Sequence, residues 1–185
     1  MNIANKITML RIAMIPIFML VMLIDFPWHM EVALLVFLLA SLTDHIDGHL
    51  ARKYNLITDF GKFMDPLADK LLVTAAFVIL IQMGRIDAWI VFVILAREFA
   101  VSGLRSLAAA QNIIIAASNF GKVKTVTQIV AICVLILNNF PFSLINLPID
   151  TICIYVTLII TVWSGFDYLG KNIKVILPKR LEHKA

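Results

Sequence analysis

The sequence predicts an all-α integral membrane protein, a six-transmembrane-helix bundle with both termini cytoplasmic. Three observations carry that expectation: an apolar composition, six apolar stretches of spanning length, and a one-sided distribution of Lys and Arg. Of the 185 residues, 61% are hydrophobic and only 15% charged. Soluble domains keep apolar content at about half and charge at about a quarter. About 20 apolar residues cross a bilayer core, and the stretches run roughly Ile7–Ile24, Glu31–Leu50, Asp65–Gln82, Asp87–Ala110, Gly121–Leu137 and Leu147–Phe166.

The first stretch is followed by Asp25, Pro27 and Trp28 instead of a small-residue cleavage site, so it reads as an uncleaved span and not a signal peptide. Breakers separate or end the others: Asp25-Phe26-Pro27, Met83-Gly84-Arg85, Asn138-Asn139-Phe140-Pro141 and Gly165. With the N-terminus inside, all but Arg85 of the 16 Lys and Arg fall on the inner side, where such residues accumulate. One six-span domain over residues 1–170 is expected, with a basic cytoplasmic tail over 171–185. That tail reads either as an amphipathic surface helix interrupted by Pro178 or as a solvated segment. Trp28, Trp89 and Trp163 fall near expected span ends, as interfacial anchors do. Cys133 and Cys153 lie in separate spans with no metal-type spacing and read as packing residues. The net charge of +4 suits an anionic inner leaflet; no basic soluble module points to nucleic acid.

Against this background Asp44, Asp47, Asp65 and Asp69 stand out. A carboxylate inside a span costs about 2.5–3.5 kcal/mol on insertion scales and marks a functional site by default. Spacings of three and four put each pair on one helix face. Asp44, Asp47, Gly48 and Ala51 share one stripe of the second span; Gly61, Asp65, Ala68 and Asp69 repeat the arrangement in the third. Small residues beside the acids leave room for a bulky substrate. Asp65 followed by Pro66 also suits a plain helix start, but that reading leaves the other three aspartates unexplained. Four facing carboxylates need cations between them, and hard oxygen donors suit magnesium, manganese or calcium. Paired divalent ions serve phosphoryl displacement, so a lipid phosphate at the cytoplasmic membrane surface is the expected electrophile.

Asp44, Asp47, Gly48, Ala51, Arg52, Gly61, Asp65 and Asp69 match D-x2-D-G-x2-A-R-x8-G-x3-D-x3-D in full. This resembles the signature of the CDP-alcohol phosphatidyltransferase family. The resemblance implies that the four aspartates hold two Mg2+ or Mn2+ ions and that Asp69 is also the general base. It further implies that Gly48, Ala51 and Gly61 make room for the cytidine nucleotide of CDP-diacylglycerol, and that Arg52 serves its charge or the local fold. His45 and His49 depart from the aromatic or apolar residues expected beside the aspartates and read as flanking residues, not ligands.

The acceptor is set elsewhere, because an acceptor with its own phosphate needs cations inside the bundle mouth. Arg97, Arg105, Lys122 and Lys124 are the candidates; their alternative is to act as inner-face anchors that snorkel to the interface. Ala96-Arg97-Glu98-Phe99, Ser102-Gly103-Leu104-Arg105, Gly121-Lys122-Val123-Lys124-Thr125 and the opening Asn5-Lys6-Ile7-Thr8-Met9-Leu10-Arg11 resemble one bacterial branch of that family, the phosphatidylglycerophosphate synthases. The resemblance implies sn-glycerol 3-phosphate as acceptor, with the four cations as phosphate contacts and Asn5, Thr8 and Arg11 near the nucleotide. It also implies a homodimer in the bacterial inner membrane, its site facing the cytoplasm. Competing readings are a same-family transferase using inositol phosphate or another polar alcohol, and a divalent-cation or proton transporter. The clustering of the aspartates at one membrane face disfavours transport.

Overall fold

The computed structural model describes residues 3–53, 59–111, 113 and 119–176, and the described residues form six α-helices and no strand. They are α1 (Ile3–Leu23), α2 (His29–Lys53), α3 (Asp59–Gln82), α4 (Ala88–Ala110), α5 (Asn119–Ile136) and α6 (Ile149–Ile176), with a short 3₁₀ turn at Phe142–Ile145. Each expected span has its helix. Two of them, over Asn5–Leu23 and Ile149–Asn172, are long and apolar enough to cross a membrane, and His29–Thr43 is a shorter apolar run. Large apolar side chains are exposed on all six helices, among them Leu20, Leu35, Leu71, Phe92, Val126 and Phe166. Apolar surface on that scale marks a membrane-facing protein.

The helix ends follow from local chemistry. Gly84 adopts φ +68° after α3, with its N–H on Ile81 O at 2.9 Å and the Arg85 N–H on Leu80 O at 3.0 Å. This pair of bonds is the left-handed C-terminal cap that glycine favours. Asn138, at φ 52°, repeats it after α5, through Asn138 N–H to Leu135 O and Asn139 N–H to Val134 O. The Arg85 guanidinium then crosses to the same helix end, donating from Nη1 to Leu135 O at 2.8 Å and Ile136 O at 2.6 Å. A cation is favoured there by the helix dipole. Burial lowers the Arg85 pKa from its ordinary value.

The chain divides into two compact units, residues 1–86 with 132–148, and residues 87–131 with 149–185. In the first, α1 packs on α2 and α3, and α2 on α3. Buried α1 positions recur at helical spacing: Asn5, Thr8, Arg11, Ile15, Phe18 and Met22. Phe18 meets Phe37 at 5.8 Å between ring centroids, and Arg11 Nε donates to Thr43 Oγ1 at 3.4 Å. Rising numbers on α1 thus face falling numbers on α2, so the two helices are antiparallel. In the second unit α4 packs on α6, and Thr157 Oγ1 donates to Thr127 O at 3.1 Å, tying α5 to α6.

Three local expectations are corrected. Gly165 does not end a helix; α6 runs through it to Ile176. Trp163 consequently lies roughly three turns inside α6 instead of near its terminus. Asp65 is not a helix start, because α3 begins at Asp59. The connecting residues 54–58 and the tail beyond Ile176 lie outside the described residues.

Replacing Arg85 with Ala removes both bonds to the end of α5. Hydrogen bonds from a charged donor are worth about 1.5–3 kcal/mol, so Arg85→Ala is expected to lower the thermal midpoint of the purified protein.

Candidate active site

Asp44, Asp47, Gly48, Ala51 and Arg52 fall within the continuous helix α2, and Gly61, Asp65 and Asp69 within α3. The side chains of Asp44, Asp47, Gly48, Ala51, Arg52 and Asp65, and those of His45 and His49, lie outside the described residues. Their backbone positions are set: Asp44 and Asp47 are about 4.5 Å apart along the α2 axis, and Asp65 and Asp69 about 6 Å apart along α3. Gly61, Ala68 and Leu72 are buried at helical spacing, and Asp69 follows Ala68 with its side chain exposed. Asp69 stands at the edge of the packed face and has a partner of its own.

The polar half of the α1 stripe belongs to the same end of this unit. Asn5, Thr8 and Arg11 are 6%, 1% and 0% exposed. The antiparallel register, with Arg11 at Thr43, puts Thr8 and Asn5 level with the following α2 residues, the stretch that carries Asp44 to Ala51. Buried polar groups of this kind need partners, and each of the three has one.

The second unit carries the cations. On α4 the buried positions Ile90, Ile94, Val101, Leu104 and Ala108 form a helical stripe. Arg97 falls on it, three residues after Ile94. Its Nη1 donates to Glu98 Oε1 at 3.3 Å and its Nη2 to Ser164 Oγ at 2.7 Å. Lys124 of α5 donates to the same Glu98 oxygen. The three side chains are only 11%, 15% and 8% exposed, so two largely buried cations share one carboxylate. Arg97 Nε is buried with no hydrogen-bond partner among the described residues. The arrangement leaves the buried Arg97 Nε donor unused among the described residues, and such a donor suits an acceptor on an anionic ligand.

Arg105, two turns beyond Arg97, lies exposed with its guanidinium carbon 6.0 Å from the Tyr168 ring centroid. Lys122 is exposed and is two residues from Lys124, a separation that does not share a helix face. The structure therefore joins Arg97 to Lys124 through Glu98, sets Arg105 against Tyr168, and keeps Lys122 apart. Ser164, Gly165 and Tyr168 are missed by the sequence reading, which has Glu98 only as a neighbour of Arg97 in the Ala96-Arg97-Glu98-Phe99 segment. The available signal was a small polar pair, Ser164-Gly165, inside an apolar stretch and one turn before Tyr168.

A family model described as CDP-alcohol phosphatidyltransferase matches residues 1–163. The chain belongs to this family. It is 48% identical to the CDP-diacylglycerol–glycerol-3-phosphate 3-phosphatidyltransferase of Bacillus subtilis (strain 168), over 92% of this chain and 95% of that protein. The like-named protein of Rickettsia bellii is 39% identical, over 90% of this chain and 93% of its own length. A protein of Mycobacterium tuberculosis (strain H37Rv) named probable phosphatidylglycerophosphate synthase is 37% identical, over 95% of this chain and 83% of its own.

The family uses divalent metal ions. Among the described residues no three His, Cys, Asp or Glu come together as ligands, and three of the four candidate carboxylates have side chains outside that set. The donor chemistry of the four candidates fits, because carboxylate oxygens hold hard divalent cations.

Glu98→Gln would leave Lys124 and Arg97 without their shared counter-charge. Breaking a buried pair from one side costs about 3–5 kcal/mol. Thermal unfolding should therefore show a large loss for Glu98→Gln, most of it recovered in Glu98→Gln/Lys124→Met.

Proposed function

We propose that this protein transfers the phosphatidyl group of CDP-diacylglycerol to sn-glycerol 3-phosphate, giving phosphatidylglycerophosphate and CMP, in the synthesis of phospholipid. The names of the relatives, which match over nine-tenths of the chain, support this reading. The observation that carries the acceptor assignment is the Arg97–Glu98–Lys124 cluster, where two largely buried cations meet and Arg97 Nε has no hydrogen-bond partner among the described residues.

The four aspartates Asp44, Asp47, Asp65 and Asp69 hold two divalent ions, Mg2+ or Mn2+, in this scheme. When bound, such ions offset charge on the diphosphate oxygens and on departing CMP. Gly48, Ala51 and Gly61 leave space for the cytidine nucleotide, with Arg52, Asn5, Thr8 and Arg11 on its polar side. Asp69 takes the proton from the free primary hydroxyl of the acceptor as that oxygen attacks the β-phosphorus and CMP leaves. Arg97 and Lys124 bind the acceptor phosphate, assisted by Arg105, while exposed Lys122 draws the anion inward. All six helices span the bacterial inner membrane, both termini and the site face the cytoplasm, and the enzyme is a homodimer. The six-span domain covers residues 1–170 and the tail meets the inner leaflet.

The test supplies purified protein with CDP-diacylglycerol, Mg2+ or Mn2+, and a panel of alcohols while CMP release is followed. Release that depends on glycerol 3-phosphate is expected; no release with any alcohol sinks the enzyme assignment, and release with inositol phosphate alone moves the acceptor. A chelator should stop turnover, and added Mg2+ or Mn2+ should restore it. Asp69→Asn should lower kcat by about 10²–10⁴, the range of general-base catalysis, with modest loss of CDP-diacylglycerol binding. Lys124→Ala should chiefly raise KM for the acceptor. Equal loss of nucleotide-lipid binding in both variants contradicts this division of roles.

A further inference from the structure

The geometry points to one face of α6, carrying Ser164, Gly165 and Tyr168, as the element that positions the arginines of α4 for the acceptor phosphate. These are positioning residues: they act through Arg97 and Arg105. The inference rests on the acceptor reading above and adds the part of the site that gives it shape.

A guanidinium reads phosphate through a planar fork whose direction matters as much as its charge. A long side chain with four torsions has no fixed direction unless its neighbours impose one. Around Arg97 they do. Ser164, itself 0% exposed, accepts from Nη2 at 2.7 Å, while Glu98 accepts from Nη1. These two bonds fix the plane of the fork and leave Nε as the buried donor without a partner among the described residues.

Gly165 sets the path of the stem. A Cβ built on it would come within 2.8 Å of Arg97 Cγ and 3.6 Å of Nε. Cγ is near the root of the side chain, so a methyl group there redirects the whole arginine instead of nudging its tip. That explains a glycine inside a continuous helix, where it costs about 1 kcal/mol relative to alanine. One turn on, Tyr168 is 3% exposed and presents its ring 6.0 Å from the Arg105 guanidinium carbon, within reach of a cation–π contact. Positions 164, 165 and 168 share one side of α6, so one helix face orients both α4 arginines.

Ser164→Ala and Gly165→Ala are made in the full-length enzyme, with Ser164→Thr retaining the hydroxyl and Arg97→Ala as reference. CMP release is titrated against each substrate, with inorganic phosphate as competing anion. Losing a hydrogen bond to a charged group and redirecting the fork should raise KM for glycerol 3-phosphate by about fivefold to twentyfold. KM for CDP-diacylglycerol should stay within about twofold, phosphate inhibition should weaken in parallel, and Ser164→Thr should recover the parent values. An equal rise in both KM values, or a fall in kcat with the acceptor KM unchanged, overturns the inference. Should Gly165→Ala fail to fold, Ser164→Ala alone decides. Unchanged acceptor KM in Arg97→Ala defeats the acceptor reading itself; a rise there without one in the α6 variants defeats only the positioning role.

Discussion

An ionised side chain among apolar helices must find a counter-charge, and this requirement organises the molecule. Arg97 and Lys124 occupy positions that helical periodicity gives to the core, and both turn to a single carboxylate, Glu98. Burying a charge costs several kcal/mol even after relaxation. A cluster of three largely buried charges is therefore a poor device for stability alone, and the unused Arg97 Nε donor supports the anion-binding reading proposed above.

The same logic runs through the helix faces. The α1 stripe is polar in its first half, at Asn5, Thr8 and Arg11, and apolar in its second, at Ile15, Phe18 and Met22. On α5, Lys124 and Gln128 are buried one turn apart, and on α6 Thr157, Thr161 and Ser164 share the buried side. Buried Thr and Ser of this kind hydrogen-bond across packed helices, as Thr157 does to Thr127, whereas an ionisable side chain there is the costlier feature. The first unit concentrates acids on α2 and α3, suited to cations. The second concentrates bases on α4 and α5, suited to a phosphate.

Much of this was legible in the sequence. Six helices, the turns at Gly84 and Asn138, and the placement of the aspartate motif on two neighbouring helices all follow from periodicity and turn chemistry. Gly165 was misread because a glycine in an apolar stretch carries the same local signal whether it breaks a helix or makes room in one. Trp163 followed it into error, since its position relative to a helix end depended on that break. Asp65 looked like a helix start because Asp59, Gly61 and Lys62 interrupt the apolar pattern over the six residues before it, although Phe60, Phe63 and Met64 keep helical spacing.

What the sequence by itself determined is local and periodic: which segments are helical, which residues share a face, where charge interrupts apolar runs, and the spacing that marks the family. Only the tertiary structure decided that Arg97 meets Ser164, 67 residues away, and that Glu98 is shared by two cations. Those outcomes depend on how helices are paired and rotated, which is settled by packing over the whole surface of each helix and leaves no trace in the spacing of any one of them.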